Sequence, residues 1–277
     1  MIQTPTYQPY TGPLTLAIFD WAGTVLDFGC IAPVEAFREA FEQAGVPITE
    51  AEARAPMGAA KRVHIEQILA QPAVQQRWHA VHHAPASQQH VDDLYAAFLR
   101  IDAVNCARYS ALIPGALDVM AGLRAQGMQI GSTTGYPRSV MDGLIPLAQA
   151  QGYAPDACVT VSEVARGRPA PDMVIANALA LGLPDMRAGV VVDDSPTGLL
   201  SGRAAGMWAV GILASGNEIG LPLEAWNALD DAARDGLRQK AGPVLAAAGA
   251  HYVIDTIADL PPVIDAINAR LAASEAP

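Results

Sequence analysis

Lysine is nearly absent from this chain. Of its 17 basic residues only Lys61 and Lys240 are lysines, so positive charge is supplied almost wholly by arginine. Where a lysine persists, the chemistry of a primary amine is a simpler reason for it than charge. Basic residues are also outnumbered: 28 acidic side chains set the formal charge at −11. Phosphate backbones are bound through accumulated Lys and Arg, so no nucleic-acid surface is expected. An anionic small substrate would need local cations or a metal against this overall field. No apolar run approaches the ~18 residues of a membrane span. The opening residues, MIQTPTYQPYTG, lack the basic and apolar segments of a secretory signal. Three scattered cysteines, Cys30, Cys106 and Cys158, form neither a metal-ligand cluster nor an even disulfide set. A cytoplasmic, reducing location is the expectation.

What is present suits a soluble globular protein of one large or two modest domains, with 51% hydrophobic and 16% charged residues over a length of 277. In LAIFDWAGT, residues 16–24, an apolar run of strand length stops at Asp20 and passes into a glycine turn. Helical patterns then follow at 34–44, 50–54, 61–69, 74–81 and 91–107, with no convincing strand among them. From Pro114 helices alternate with strands at 128–133, 158–161, 189–192 and 208–213, and a helical tail carries one more at 251–254. This alternation predicts an α/β fold, a doubly wound parallel sheet covered by helices on both faces. The expected division is a core of residues 1–28 and 109–277 with an inserted α-helical cap at 29–108. In such sheets reacting groups gather at the carboxyl ends of the strands.

The strand ends carry matching chemistry. The first ends in Asp20, the second in Ser132-Thr133-Thr134-Gly135 and the fourth in Asp193-Asp194, while Gly167-Arg168-Pro169 precedes a helix between them. Singly, each has an ordinary alternative. Asp194 before Ser195-Pro196 suits a helix cap, Arg168 a proline-rich turn, and Thr134-Gly135 a tight turn. In this order, however, the four resemble the motifs of the haloacid dehalogenase superfamily: nucleophilic Asp, Ser or Thr, Lys or Arg, and terminal acids. The resemblance implies attack of Asp20 on phosphorus to give an aspartyl phosphate. Thr134 and the Gly135 backbone would hydrogen-bond the phosphoryl oxygens, and Arg168 would clamp them. Asp20, Asp194 and the Ala22 carbonyl offer the hard oxygens that Mg²⁺ prefers, with Asp193 as a further acid. Gly198 stands where many members carry another Asp, which leaves the metal shell open at that point.

Ala22 is the informative departure. Superfamily phosphatases place a second Asp there to protonate a leaving alcohol, so a phosphomonoesterase is disfavoured. A leaving group that departs on carbon needs an electron sink instead, which a lysine imine provides. The cap segment Pro56-Met57-Gly58-Ala59-Ala60-Lys61-Arg62-Val63-His64 then resembles the phosphonoacetaldehyde hydrolase (phosphonatase) family, which pairs DWAGT with PMG, a Schiff-base Lys and a following His. The resemblance implies hydrolysis of the carbon–phosphorus bond of a small phosphonate, with Lys61 forming the imine and His64, one helical turn on, moving its protons. It also implies Mg²⁺, a homodimer, Met57 beside the lysine and Cys30 near the cap hinge. Tyr136, directly after Thr134-Gly135, either faces the aldehyde or covers the sheet end. His79, His82, His83 and His90 have metal-like spacings, but no carboxylate or Cys joins them. The alternatives are a phosphatase or phosphotransferase acting on a small ester, and a non-catalytic binding protein on the same fold. Dehalogenation would have no use for Lys61 or for the metal-binding acids.

Overall fold

A computed structural model describes residues 9–277. Residues 1–8, which hold most of the stretch read for a signal and open the 1–28 core span, lie outside the described residues. The first strand, β1 (Leu16–Phe19), is followed by five helices: α1 (Ile31–Gln43), α2 (Glu50–Arg54), α3 (Lys61–Ala70), α4 (Pro72–His82) and α5 (Gln88–Arg108). Then α6 (Ala116–Ala125), β2 (Gln129–Thr134), α7 (Arg138–Ala150), β3 (Ala157–Thr160), α8 (Asp172–Ala180), β4 (Gly189–Asp193), α9 (Pro196–Ala204) and β5 (Trp208–Ile212) alternate. The chain closes with α10 (Leu223–Ala228), α11 (Asp231–Ala247), β6 (Tyr252–Ile254) and α12 (Leu260–Ala272).

The strands form one parallel sheet in the order β3-β2-β1-β4-β5-β6. The central strands LAIF and GVVVD are buried throughout, as expected where helices cover both faces. The order of connection reverses at β1, which pairs with β2 on one edge and β4 on the other, both parallel. A crevice therefore opens beyond the carboxyl ends of these three strands, and all three end in predicted site residues.

Helix starts explain most differences from the expected boundaries. The helix expected from Val34 begins at Ile31, because the Asp27 carboxylate accepts hydrogen bonds from the Ile31 and Ala32 amides, both 3.0 Å. The helix expected near Leu199 begins at Pro196, and its cap is Ser195, whose Oγ accepts the Gly198 amide. Asp194 is thus released from the capping role its position allowed.

The first five of the helices between β1 and β2 pack chiefly on one another through α1, α3 and α5. Phe37 of α1 lies at their centre, stacked on Phe98 of α5 at 4.3 Å and tilted against the His64 ring of α3 at 3.9 Å. The chain leaves and re-enters the sheet side by side: Asp27 donates to Ala111 O (3.1 Å) and Ile113 to Val25 O (2.8 Å). Asp27, Gly29 and Cys30 all take left-handed backbone angles at this crossing. No helix among the described residues is long and apolar enough to cross a membrane.

Candidate active site

Asp20 emerges at the end of β1, its amide tied to Val192 O of β4 at 3.0 Å, so the strand ladder fixes where its carboxylate stands. Arg168 reaches it from the loop before α8: Nη2 donates to Asp20 Oδ1 (2.7 Å) and to Thr133 Oγ1 (2.8 Å), and lies 3.0 Å from Asp193 Oδ2. The arginine expected to clamp phosphoryl oxygens therefore spends this nitrogen on the nucleophile and its neighbours. Thr133, which the sequence reading passed over, supports the arginine, whereas Thr134 points into the site and holds the Tyr136 amide on its Oγ1 at 3.1 Å. Alternation along β2 separates the two threonines, and Ser132 turns back to bond Phe19 O.

Asp20, Asp193 and Asp194 are buried and bring one carboxylate oxygen each within 4.8 Å of one another. Burial first, and then the neighbouring Asp193, raise the Asp20 carboxyl to about 7 against the pull of Arg168. Burial likewise holds Asp194 well above the usual carboxylate range, with Asp20 and Asp193 adding to it. Three carboxylates against one guanidinium leave negative charge that a divalent cation would offset, so the donor set fits a hard metal ion. The donors differ in freedom. Asp193 accepts the Ser195 amide and hydroxyl on Oδ1 (2.9 and 2.7 Å) and pairs Oδ2 with Arg168 by charge without a hydrogen bond, whereas Asp194 uses only Oδ2, for the Asn217 amide at 2.7 Å. Gly198 is explained by the same packing: a Cβ there would lie 2.0 Å from Asp193 Oδ2. Asp193 fills the space in which the expected further acid would stand.

The cap segment closes over this cluster. Met57, Gly58 and Lys61 join Asp20, Ala22, Cys30, Thr134, Gly135, Tyr136, Arg168 and Asp194 around a cavity of about 20 Å³, room for about one water molecule. Gly58 permits the approach, since its φ is +87° and a Cβ would fall 2.2 Å from Thr197 Oγ1 and 2.3 Å from Ser195 Oγ. Lys61 opens α3 and is buried, with Nζ 4.6 Å from the Tyr136 ring centroid and 5.7 Å from that of Phe37. Tyr136 thus faces the lysine. His64 lies behind the cavity, fully buried. Its Nε2 donates to Ala53 O at 2.7 Å, which leaves Nδ1 bare, and burial, with Lys61 adding to it, lowers its pKa to about 3.

Residues 14–206 match the haloacid dehalogenase-like hydrolase family. Over 266 residues the chain is 47% identical to the phosphonoacetaldehyde hydrolase of Klebsiella pneumoniae, covering 95% of this chain and 99% of that protein. The Vibrio cholerae phosphonoacetaldehyde hydrolase is 46% identical over 267 residues, 96% of this chain and 98% of that one. The crystal structure of a phosphonoacetaldehyde hydrolase-like protein from Oleispira antarctica superposes with a TM-score of 0.97 at 41% identity, covering 99% of this chain and all of that one. The chain belongs to the phosphonoacetaldehyde hydrolase family.

Two site features of this phosphonoacetaldehyde hydrolase family member had no signal in the sequence. Arg54 of α2 donates to Gly29 O and to Gly220 O, both 2.9 Å, and lies beside Asn217, so it joins α2 to the loop that holds Asp194. Asp102 of α5 is fully buried with neither carboxylate oxygen hydrogen-bonded. The histidine cluster serves packing and capping. His82 stacks on Trp78 at 4.2 Å and donates to Ala44 O, and His90 Nδ1 accepts the Ser87 amide at the start of α5. A larger groove of about 480 Å³, lined by Leu69, Trp78 and Val91, touches none of the residues around Asp20.

Proposed function

We propose that this protein hydrolyses the carbon–phosphorus bond of phosphonoacetaldehyde, giving acetaldehyde and phosphate. The observation that carries the reading is the single cavity shared by the Asp20 carboxylate and the Lys61 amine, in a family whose relatives bear that enzyme's name. Lys61 condenses with the aldehyde, and the iminium draws the electrons of the breaking carbon–phosphorus bond. Asp20 takes the phosphoryl group as the bond opens, splitting one difficult displacement into two steps. The enamine gains a proton on carbon and hydrolyses to acetaldehyde, and water frees phosphate from Asp20. Ala22 supplies no acid because an enamine leaving group requires none.

Arg168 and Thr133 hold Asp20 in line, while Thr134 and the Gly135 backbone receive the phosphoryl oxygens. Asp20, Asp194 and the Ala22 carbonyl would hold Mg²⁺, with Asp193 in support. That ion would lower the repulsion between the anionic nucleophile and the anionic phosphoryl group. Met57, Gly58 and Tyr136 wall the aldehyde side, and His64 offers a neutral Nδ1 near the amine. Residues 29–108 act as a cap that opens on the 1–28 and 109–277 core, with Cys30 at the hinge. A cavity of about 20 Å³ requires such opening before substrate can enter. A homodimer and a cytoplasmic location complete the reading; three free thiols suit a reducing compartment.

The test is incubation with phosphonoacetaldehyde and Mg²⁺, borohydride reduction and peptide mapping. The expected result is acetaldehyde and phosphate release, with the reduced adduct on Lys61. Full acetaldehyde release by Lys61→Arg, which keeps the charge, would overturn the imine.

A further inference from the structure

Asp102 is 0% exposed and neither of its carboxylate oxygens meets a nitrogen or oxygen donor; the weak thiol of Cys106, one turn on, is all that α5 offers it. A buried ionised carboxylate is costly unless something offsets it, so an orphan of this kind calls for a reason. Its surroundings supply one. On α5, Asp102 follows Phe98 by one turn and shares its buried face. Phe98 stacks on Phe37, and Phe37 is the ring that lies 5.7 Å from the Lys61 amine. From the core side Tyr136 approaches, its ring 4.6 Å from that amine and its hydroxyl also without a partner. The titratable groups in electrostatic reach of Asp102 are Lys61 from α3, Cys106 from α5, Tyr136 beyond β2 and Asp27 at the hinge. Lys61 is the one cation among them.

We propose that Asp102 is a positioning residue that balances the charge of the Lys61 nitrogen, holding a proton while Lys61 is the neutral amine and becoming the carboxylate when that nitrogen is an ammonium or an iminium. The proposal rests on the imine reading above. The proton count closes. The ammonium loses a proton as Asp102, which is not in hydrogen-bond contact with it, takes one up, and the neutral amine adds to the aldehyde carbon to give a carbinolamine. Asp102 gives its proton up again as the departing hydroxyl is protonated and leaves as water, and the charge of the iminium is balanced by a carboxylate. The pair is neutral overall at every stage, so no net charge is created in a dry interior where it would be expensive. His64 is poorly built for this task. Its one bare nitrogen is an acceptor, and the depressed pKa of about 3 keeps it from carrying the proton back. Burial raises the Asp102 carboxyl to about 7, against the lowering effect of Lys61, where both of its forms are accessible.

The experiment measures the rate of borohydride trapping with phosphonoacetaldehyde across pH, in the wild-type protein and in Asp102→Asn. The wild-type rate should rise with pH through about 7, as Asp102 ionises and can accept the ammonium proton. Asp102→Asn should trap about 10²-fold more slowly at neutral pH and lose that rise. A wild-type rate and pH profile in Asp102→Asn would overturn the assignment, since a residue needed only for packing would alter the melting temperature and leave the profile in place. A second measurement does not depend on that variant folding. In Lys61→Met, infrared spectra of protein carrying labelled aspartate should show one more protonated carboxyl than the wild type just above pH 7, and no gain would equally overturn the proposal. Absence of any adduct in the wild-type protein would remove the imine reading itself, whereas a normal wild-type adduct with an indifferent Asp102→Asn removes only the role of Asp102.

Discussion

The two halves of the site are built in opposite ways. Around Asp20 nearly every polar atom is engaged: Arg168 bridges Asp20, Asp193 and Thr133, Ser195 holds Asp193, and Asn217 holds Asp194. Around Lys61 polar contacts are few. The amine rests between two aromatic faces, and the Tyr136 hydroxyl, His64 Nδ1 and both Asp102 oxygens lack hydrogen bonds. The chemistry proposed for each side accounts for the contrast. Phosphoryl transfer needs charge fixed in advance where the transition state will need it, and the strand ends of a parallel sheet are rigid enough to fix it. Imine formation needs an amine stripped of water and able to change protonation state, which favours an apolar wall on a part that moves.

Separating the two halves gives the largest expected effect. Asp20→Asn should lower acetaldehyde and phosphate release by at least ~10⁴-fold while leaving borohydride trapping on Lys61 intact. Loss of trapping in that variant would mean that the halves are not independent. The reciprocal variant, Lys61→Arg, should lose at least ~10³-fold in turnover yet still bind inorganic phosphate in the presence of Mg²⁺, as read by calorimetry. Chelation should abolish turnover and lower the melting temperature, because an ion that binds only the folded protein stabilises it; added Mg²⁺ should restore both. A melting temperature indifferent to chelator would argue against the acidic cluster as a metal site.

Gly58 tests the seam between the halves. Gly58→Val places a Cβ against Ser195 and Thr197 at a positive φ, so the cap segment cannot seat. A loss of about 10²-fold in kcat/KM is expected, with phosphate binding to the core retained. The smallest effect is on stability. The folded-state pKa of His64 is lowered to about 3, below the ordinary 6.5, so the unfolded chain binds the extra proton between those values. The contribution is complete above about 6.5 and is lost as pH falls towards 3. His64→Gln keeps a donor for Ala53 O without titrating, and its melting temperature should fall less steeply with acid than that of the wild type. An unchanged slope would place the acid sensitivity elsewhere.

The core half was legible in the sequence to a degree that the cap half was not. An apolar run ending in Asp20, a Ser/Thr strand end, Arg168 and an acidic pair define their own positions, because a parallel sheet brings the carboxyl ends of its strands together whatever lies between. On the cap, the lysine stood out through its rarity and through the missing acid at Ala22. The Asp102 partner did not, since one Asp inside a helix that also carries Asp92 and Asp93 gives no sign of which way it faces. Arg168 was located in the chain but its hold on Asp20 and Thr133 was not, because a motif specifies a charge near the phosphate and only packing shows which oxygens it bonds. The same holds for Gly198, which read as a missing acid and is a space filled by Asp193.

The sequence by itself determined the order of the strands' chemistry, the candidate nucleophile, the candidate amine and the helical insertion, because these follow from local pattern and from residue types that no other residue replaces. Tertiary structure alone decided which oxygens Arg168 holds, that Gly58 seats the cap on Ser195 and Thr197, and that Asp102 is buried unpaired in the interior that holds Lys61. These are properties of distance and burial between segments far apart in the chain, and the free energy of a charge or a hydrogen bond is set by what surrounds it in space.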